Sequence, residues 1–160
     1  MSQFDMGGDP LTLGIDPGKQ GALAFLDPDG GLRHIEDMPP HSGAGLGDAV
    51  RALLADMSPD YVAVAWVEQT QAFPGQGRTS AHDYGREAGA VLGALGALAV
   101  PVHMVHPSVW KKAVGLNRQK ATSIDLAAGL WPGTDWFRRK KDDGRAEAAL
   151  IARYGQEQGR

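Results

Sequence analysis

The stretch Leu11-Thr12-Leu13-Gly14-Ile15-Asp16-Pro17-Gly18-Lys19-Gln20-Gly21-Ala22-Leu23-Ala24-Phe25-Leu26 carries the first decision about the fold. Two short runs rich in β-forming and apolar residues flank Pro17-Gly18-Lys19-Gln20-Gly21, a turn-forming segment. This reads as two strands, 11–16 and 22–26, folded back on each other. Asp27-Pro28-Asp29-Gly30-Gly31 is a second turn, and 32–38 is predicted as a third strand. Three strands joined by tight turns make an antiparallel meander.

Moving outward, residues 44–57 place Leu46, Val50, Leu53 and Leu54 at helical spacing. The run 61–68 (YVAVAWVE) is nearly continuous β-former, as a central strand buried on both faces should be. A long helix is then predicted to about Leu98, capped by Thr79 or Ser80, with Asp83 completing a capping-box variant. A short strand at 102–105 follows, then helices at 108–114, 119–130 and 143–154, separated by Gly115 and by Pro132-Gly133. The expected fold class is α/β: a mixed five-stranded sheet, three strands antiparallel and then two parallel, flanked by helices. A single domain is expected over 11–154, with flexible ends at 1–10 and 155–160.

A chain of 160 residues is long enough to bury one core without cross-links. It contains no cysteine, which removes disulfides, thiolate zinc sites and cysteine nucleophiles together. The first ten residues lack a basic segment leading into an apolar one, so no signal peptide is expected. The longest apolar stretch, 88–100, holds three glycines and stops at Pro101. It is short of the roughly 20 residues that span a bilayer. A soluble, cytoplasmic protein with no membrane partner is expected, in the host cytoplasm if a phage encodes it.

The net charge of −3 hides an asymmetry. Residues 1–100 carry 5 Lys/Arg against 13 Asp/Glu, a net of −8, whereas residues 101–160 carry 11 against 6, a net of +5. A basic C-terminal segment points toward an anionic partner.

Acidic residues end both central strands. Asp16 closes the first strand just before Pro-Gly, and Glu68 closes the buried run. A carboxylate ending a buried strand costs desolvation unless a cation or donor pairs with it. Asp143 and Glu147, four apart on a predicted helix, project from one face. Oxygen ligands from three places suit a hard cation such as Mg²⁺ or Mn²⁺. Taken singly, each acid is as well explained by a turn or a solvated helix face.

Taken together, the residues resemble a known family. Leu13-Gly14-Ile15-Asp16-Pro17-Gly18-Lys19-Gln20-Gly21-Ala22-Leu23-Ala24 is similar to the first-strand motif of RuvC-like Holliday junction resolvases. Val67-Glu68-Gln69 resembles the second motif, and residues 141–152 (KDDGRAEAALIA) resemble the C-terminal helix. The similarity runs in order over residues 11–154, in the manner of the shorter phage and prophage members. The first motif alone would also suit actin-like phosphotransferases, but 160 residues leave no room for their second lobe.

The resemblance implies an RNase H-like fold and a homodimeric endonuclease that nicks opposed strands of a four-way DNA junction. It implies two Mg²⁺ ions (Mn²⁺ as substitute) about 4 Å apart, activating water and stabilising the departing 3′ oxygen. The products would be 5′-phosphate and 3′-hydroxyl ends. By position, the ligands are Asp16, Glu68, Asp143 and Glu147, with Asp142 as the alternative third ligand because the family's usual spacing falls on Gly144. Basic residues are implied to hold phosphates near the cut: Lys111, Lys112, Arg118 and, above all, the catalytic candidate Lys120, with Arg78 nearby. Phe73, in the loop after Glu68, is the candidate wedge at the junction centre. Arg138-Arg139-Lys140-Lys141 could track a junction arm, and Trp110 is expected to pack in the core.

Gly85, Gly89, Gly93 and Gly96 form a stripe on the long helix. Each costs about 1 kcal/mol relative to alanine in a helix interior, so close approach by a neighbour is expected. That neighbour is either the molecule's own sheet or the same helix of a second subunit. His34, His41, His82, His103 and His106 show no ligand spacing and receive no role. Two further readings keep the same acids: a broader flap or branched-DNA nuclease, and a junction-binding protein without catalysis.

Overall fold

The computed structural model describes residues 10–39, 43–56, 63–69, 75, 77–116 and 122–159. The elements are β1 (Leu11–Asp16), β2 (Ala22–Leu26), β3 (Leu32–Asp37), α1 (Gly43–Asp56), β4 (Ala63–Glu68) and α2 (Arg78–Ala97), followed by β5 (Val102–Val105), α3 (Pro107–Ala113), α4 (Ser123–Leu130) and α5 (Asp143–Gln158). A single 3₁₀ turn, Lys140–Asp142, leads into α5. The sheet order is β3-β2-β1-β4-β5. β1–β2 and β2–β3 are antiparallel, whereas β1–β4 and β4–β5 are parallel. The meander is as the turn chemistry implies, and the mixed five-stranded sheet is as expected.

Alternation along the strands builds two cores. Leu11, Leu13 and Ile15 of β1, Leu23 and Phe25 of β2, and Ala63, Ala65 and Val67 of β4 face one layer, completed by Val50 of α1 and Val91 and Leu95 of α2. Ala22, Ala24 and Leu26 face the opposite layer, where α5 lies against the sheet with Trp110 and Ala127 of α3 and α4. Strands flanked on both faces can carry apolar residues almost continuously, which is why β1, β2 and β4 do so.

α5 approaches the sheet closely because its contact residues are small. A Cβ on Gly14 of β1 would land on the Ala148 carbonyl oxygen and the Ala152 amide. Gly144 packs the same way against the carbonyl of Gln20, in the β1–β2 turn. The start of α5 is thereby seated on that turn, beside the end of β1.

Three expectations about element ends change. The N-cap of α2 is Gly77, with no side-chain cap, so Thr79 and Ser80 lie inside the helix. Asp83 instead faces Lys19 of the β1–β2 turn, 3.6 Å away. The 119–130 segment is helical from Ser123, with a capping box from Thr122 and Asp125, while 119–121 lie outside the described residues. Residues 155–158, expected in a tail, form the last turn of α5: Gly155 lies against the Trp66 indole, and Gln156 donates to the carbonyls of Asp27 and Pro28.

Candidate active site

Parallel pairing of β1 with β4 sets Ile15 beside Val67, so Asp16 and Glu68 end adjacent strands at the same height. The crevice beyond the carboxyl ends of parallel strands, where strand order switches direction, is where α/β sheets bind ligands. Both side chains follow the alternation onto the α5 face, where Glu147 meets them. Carboxylate oxygens of Asp16, Glu68 and Glu147 lie within 4.8 Å of one another. Residues 16, 68 and 147, scattered in the chain, thus converge on one point.

Carboxylates so close repel one another, and burial adds to the cost of charging Asp16 and Glu68. Burial, then the charges of Glu147 and Glu68, push Asp16 well above the ordinary carboxylate range; Lys111 opposes this. Burial likewise raises Glu68, against the hydrogen bond from Trp110, with Glu147 raising it further. Added positive charge at this point would favour the ionised forms of Asp16 and Glu68. An all-oxygen, partly buried donor set of this kind fits a hard divalent cation.

Asp143 and Asp142 part company. Asp143 opens α5, lines the same cavity of about 770 Å³ and adds to the negative potential at Asp16. Its oxygens are outside the 4.8 Å group. Asp142 is 1% exposed and points to the other side, accepting from the Arg139 backbone N–H at 2.8 Å and from its guanidinium at 2.7 and 3.0 Å. Burial works to raise Asp142, but the Arg139 bonds and the charges of Arg139 and Arg145 outweigh it and hold it low.

The basic residues also divide. Lys111 turns into the site, its Nζ 2.7 Å from Glu147 Oε1, whereas Lys112 is exposed. Of the 138–141 run, Arg138 pairs with Asp135 and Arg139 with Asp142, so the arginines serve the local fold. Lys140 and Lys141, both exposed, line the cavity rim. Arg78 is exposed at the start of α2. Phe73, Arg118, Lys120 and His41 lie outside the described residues.

Sequence reasoning missed three contributors. Trp110, expected only to pack, is fully buried and donates its indole N–H to Glu68 Oε2 at 2.7 Å. Ser123 donates to Glu147 Oε1 at 3.3 Å. Tyr84 of α2 walls the cavity, its ring over Gly18, with its phenol pushed up to about 12 by burial and then by Asp16 and Glu68. The position of Tyr84 four residues after Ser80, at the start of a helix following Glu68, was the available signal; nothing local marked the other two. None of the described histidines joins the acids. His106 caps α3 by accepting from the Ser108 amide, and His103 stacks on Trp66 at 4.7 Å.

No family model matches the chain. It is 34% identical over 166 residues to the crossover junction endodeoxyribonuclease RuvC of Nitratidesulfovibrio vulgaris, covering 91% of this chain and 90% of that protein. It is 35% identical over 92 residues to the chloroplastic Holliday junction resolvase MOC1 of Chlamydomonas reinhardtii, covering 56% of this chain; the chain spans 10% of that relative's length. Its fold matches Thermus thermophilus RuvC in complex with a Holliday junction substrate with a TM-score of 0.63, at 22% identity, covering 94% of this chain and 97% of that one.

Fold and site define an RNase H-like α/β domain with a carboxylate cluster at the ends of its central strands. The identity and near-complete coverage take this one step further. The chain belongs to the RuvC family.

Proposed function

We propose that the protein is a structure-specific endonuclease that resolves four-way DNA junctions by paired symmetric nicks, leaving 5′-phosphate and 3′-hydroxyl ends. The observation that carries this reading is the convergence of Asp16, Glu68 and Glu147 within 4.8 Å, in a chain of this family. The relatives named as junction resolvases, and the fold match to one holding a junction, support the substrate class.

In this reading Asp16, Glu68 and Glu147 hold two Mg²⁺ ions, with Asp143 as the fourth ligand; Mn²⁺ substitutes. Asp142 is set aside because its oxygens already accept from Arg139. Bound divalent ions supply Lewis acidity, which activates water and stabilises the leaving oxygen. The chain's own residues do the positioning. β1 and β4 fix two carboxylates on a rigid sheet, and α5 brings the others from one helical face. Lys140 and Lys141 at the rim offer charge to the phosphates on either side, contacts that place the strand without reading its sequence.

A dimer completes the reading. Among the described residues, nothing lies within 4 Å of a Cβ built on Gly85, Gly89, Gly93 or Gly96, so the molecule's own sheet is not the neighbour that the stripe serves. α2 buries Ala88, Val91 and Leu95 on the sheet and leaves the glycines outward, with Leu92 among them 38% exposed. A second copy packed along this face would set two active sites about a two-fold axis, matching the symmetry of a junction.

The test is incubation with Mg²⁺ and a labelled four-way junction, beside a flap, a duplex and an Asp16→Asn control. Paired nicks confined to the junction and lost in Asp16→Asn are expected. Equal cutting of flaps would move the protein to a general branched-DNA nuclease. Tight junction binding without cutting in Mg²⁺ or Mn²⁺ would leave it a non-catalytic binder.

A further inference from the structure

Helix α3 touches the acidic site through two consecutive residues, and each takes a different carboxylate. Trp110 is wholly buried, and the only hydrogen-bonding group of its side chain, the indole N–H, reaches Glu68 Oε2 at 2.7 Å. Glu68 is itself 6% exposed, so this bond has almost no competition from water. With one oxygen fixed, the carboxylate cannot rotate freely, and its other oxygen is left for the cavity. Lys111 is different in kind. Its Nζ sits 2.7 Å from Glu147 Oε1 and 5.1 Å from the centre of the Trp110 ring, and its side chain remains 38% exposed. It is a single positive charge on a flexible stem, placed against acids that would otherwise repel one another. A flexible lysine can leave; a buried indole cannot.

We propose that α3 governs cation entry into the acidic site: Trp110 is a positioning residue that fixes Glu68, and Lys111 is a resident counter-cation that a divalent ion displaces from Glu147. The proposal rests on the reading of Asp16, Glu68 and Glu147 as metal ligands. It has a consequence that simple ligand counting lacks, since the two neighbours act on metal affinity with opposite signs. Removing the indole N–H frees Glu68 to rotate and weakens binding. Removing the lysine charge ends the competition for Glu147 and strengthens it, even where cleavage suffers from loss of a phosphate contact.

The test is calorimetric titration of the full chain with Mn²⁺ in the absence of DNA. Trp110→Phe keeps the ring and loses the donor, and it should bind Mn²⁺ about 10- to 100-fold more weakly, the usual cost of losing a group that orients a metal ligand. Lys111→Met should bind roughly tenfold more tightly, since an adjacent like charge is removed, while Lys111→Arg should resemble the wild type. Equal affinity in all four proteins overturns the proposal, as does weaker binding by Lys111→Met. Should Trp110→Phe not fold, hydrogen exchange at the Trp110 indole N–H of the wild-type protein decides. Protection that persists with saturating Mg²⁺ supports the fixed Glu68, and exchange that accelerates with Mg²⁺ refutes it. An Asp16→Asn control separates the two levels. Wild-type binding that Asp16→Asn abolishes keeps the metal site standing even if α3 plays no part, whereas no binding by the wild type sinks both.

Discussion

Asp142 and Asp143 share a tripeptide with Gly144, yet their side chains serve different neighbours. Asp142 closes the 3₁₀ turn by accepting from Arg139, while Asp143 opens the next helix toward the cavity. Substitution should separate them. Asp142→Asn removes a buried charge from Arg139 and Arg145, which are partly solvated, and should cost about 2 kcal/mol of stability. Its metal affinity should stay near that of the wild type. Asp143→Asn should leave the melting temperature almost unchanged and weaken Mn²⁺ binding. Thermal melts paired with calorimetry would read both, and the reverse pattern would make Asp142 the ligand.

At the scale of elements, α5 is the part whose placement decides the site, since it carries Glu147 to strand ends at Glu68 and Asp16, 79 and 131 positions earlier in the chain. Two devices hold it. Gly14 and Gly144 let its backbone meet β1 and the β1–β2 turn directly. Gly14→Ala should therefore cost about 2–4 kcal/mol, because a methyl group there meets backbone that cannot move aside. It should also lower cleavage by shifting Glu147. A denaturant titration together with the junction assay checks both effects. The second device is the bidentate pair of Arg145 with Asp37 at the end of β3, at 2.6 and 2.7 Å.

That pair gives a pH signature. The Arg145 hydrogen bonds lower Asp37 below the usual carboxylate range, and burial opposes them only in part. A depressed folded pKa means that the unfolded chain takes up the proton first as pH falls. The contribution is therefore complete above the unfolded value near 4 and disappears as pH drops through the lower, folded value. Asp37 is 63% exposed, so solvent screening limits it to below about 1 kcal/mol. The stability gap between wild type and Asp37→Asn should be flat from pH 7 to about 5 and close below about 4. A gap that widens in acid would contradict the assignment.

For the whole molecule, the open glycine face of α2 makes its prediction about assembly rather than folding. A Cβ at position 89 meets nothing within 4 Å among the described residues, and an arginine suits a helix interior better than glycine by roughly 0.7–1 kcal/mol. The Gly89→Arg variant should fold at least as well as the parent, sediment as a monomer and lose paired nicking. A dimer unaffected by Gly89→Arg would place the interface elsewhere. The described residues hold no helix long and apolar enough to cross a membrane.

The chain by itself determined the sheet. Turn residues at 17–21 and 27–31 and the β-forming runs between them fix the meander, because glycine and proline act locally and strand periodicity is read within a few residues. It also marked Asp16, Glu68 and Glu147, since an acid ending an apolar run or facing along a helix is visible in one dimension. Tertiary structure alone decided the rest. Trp110 and Glu68 are 42 positions apart, and no periodicity links an indole to a carboxylate across that gap. Which of Asp142 and Asp143 faces the cavity turned on where Arg139 comes to lie. Gly77 took the cap expected of Thr79 or Ser80, with no side-chain bond to the first amides. Local chemistry writes strands and turns into the sequence; long-range contacts, and the burial that makes them matter, exist only after the chain has folded.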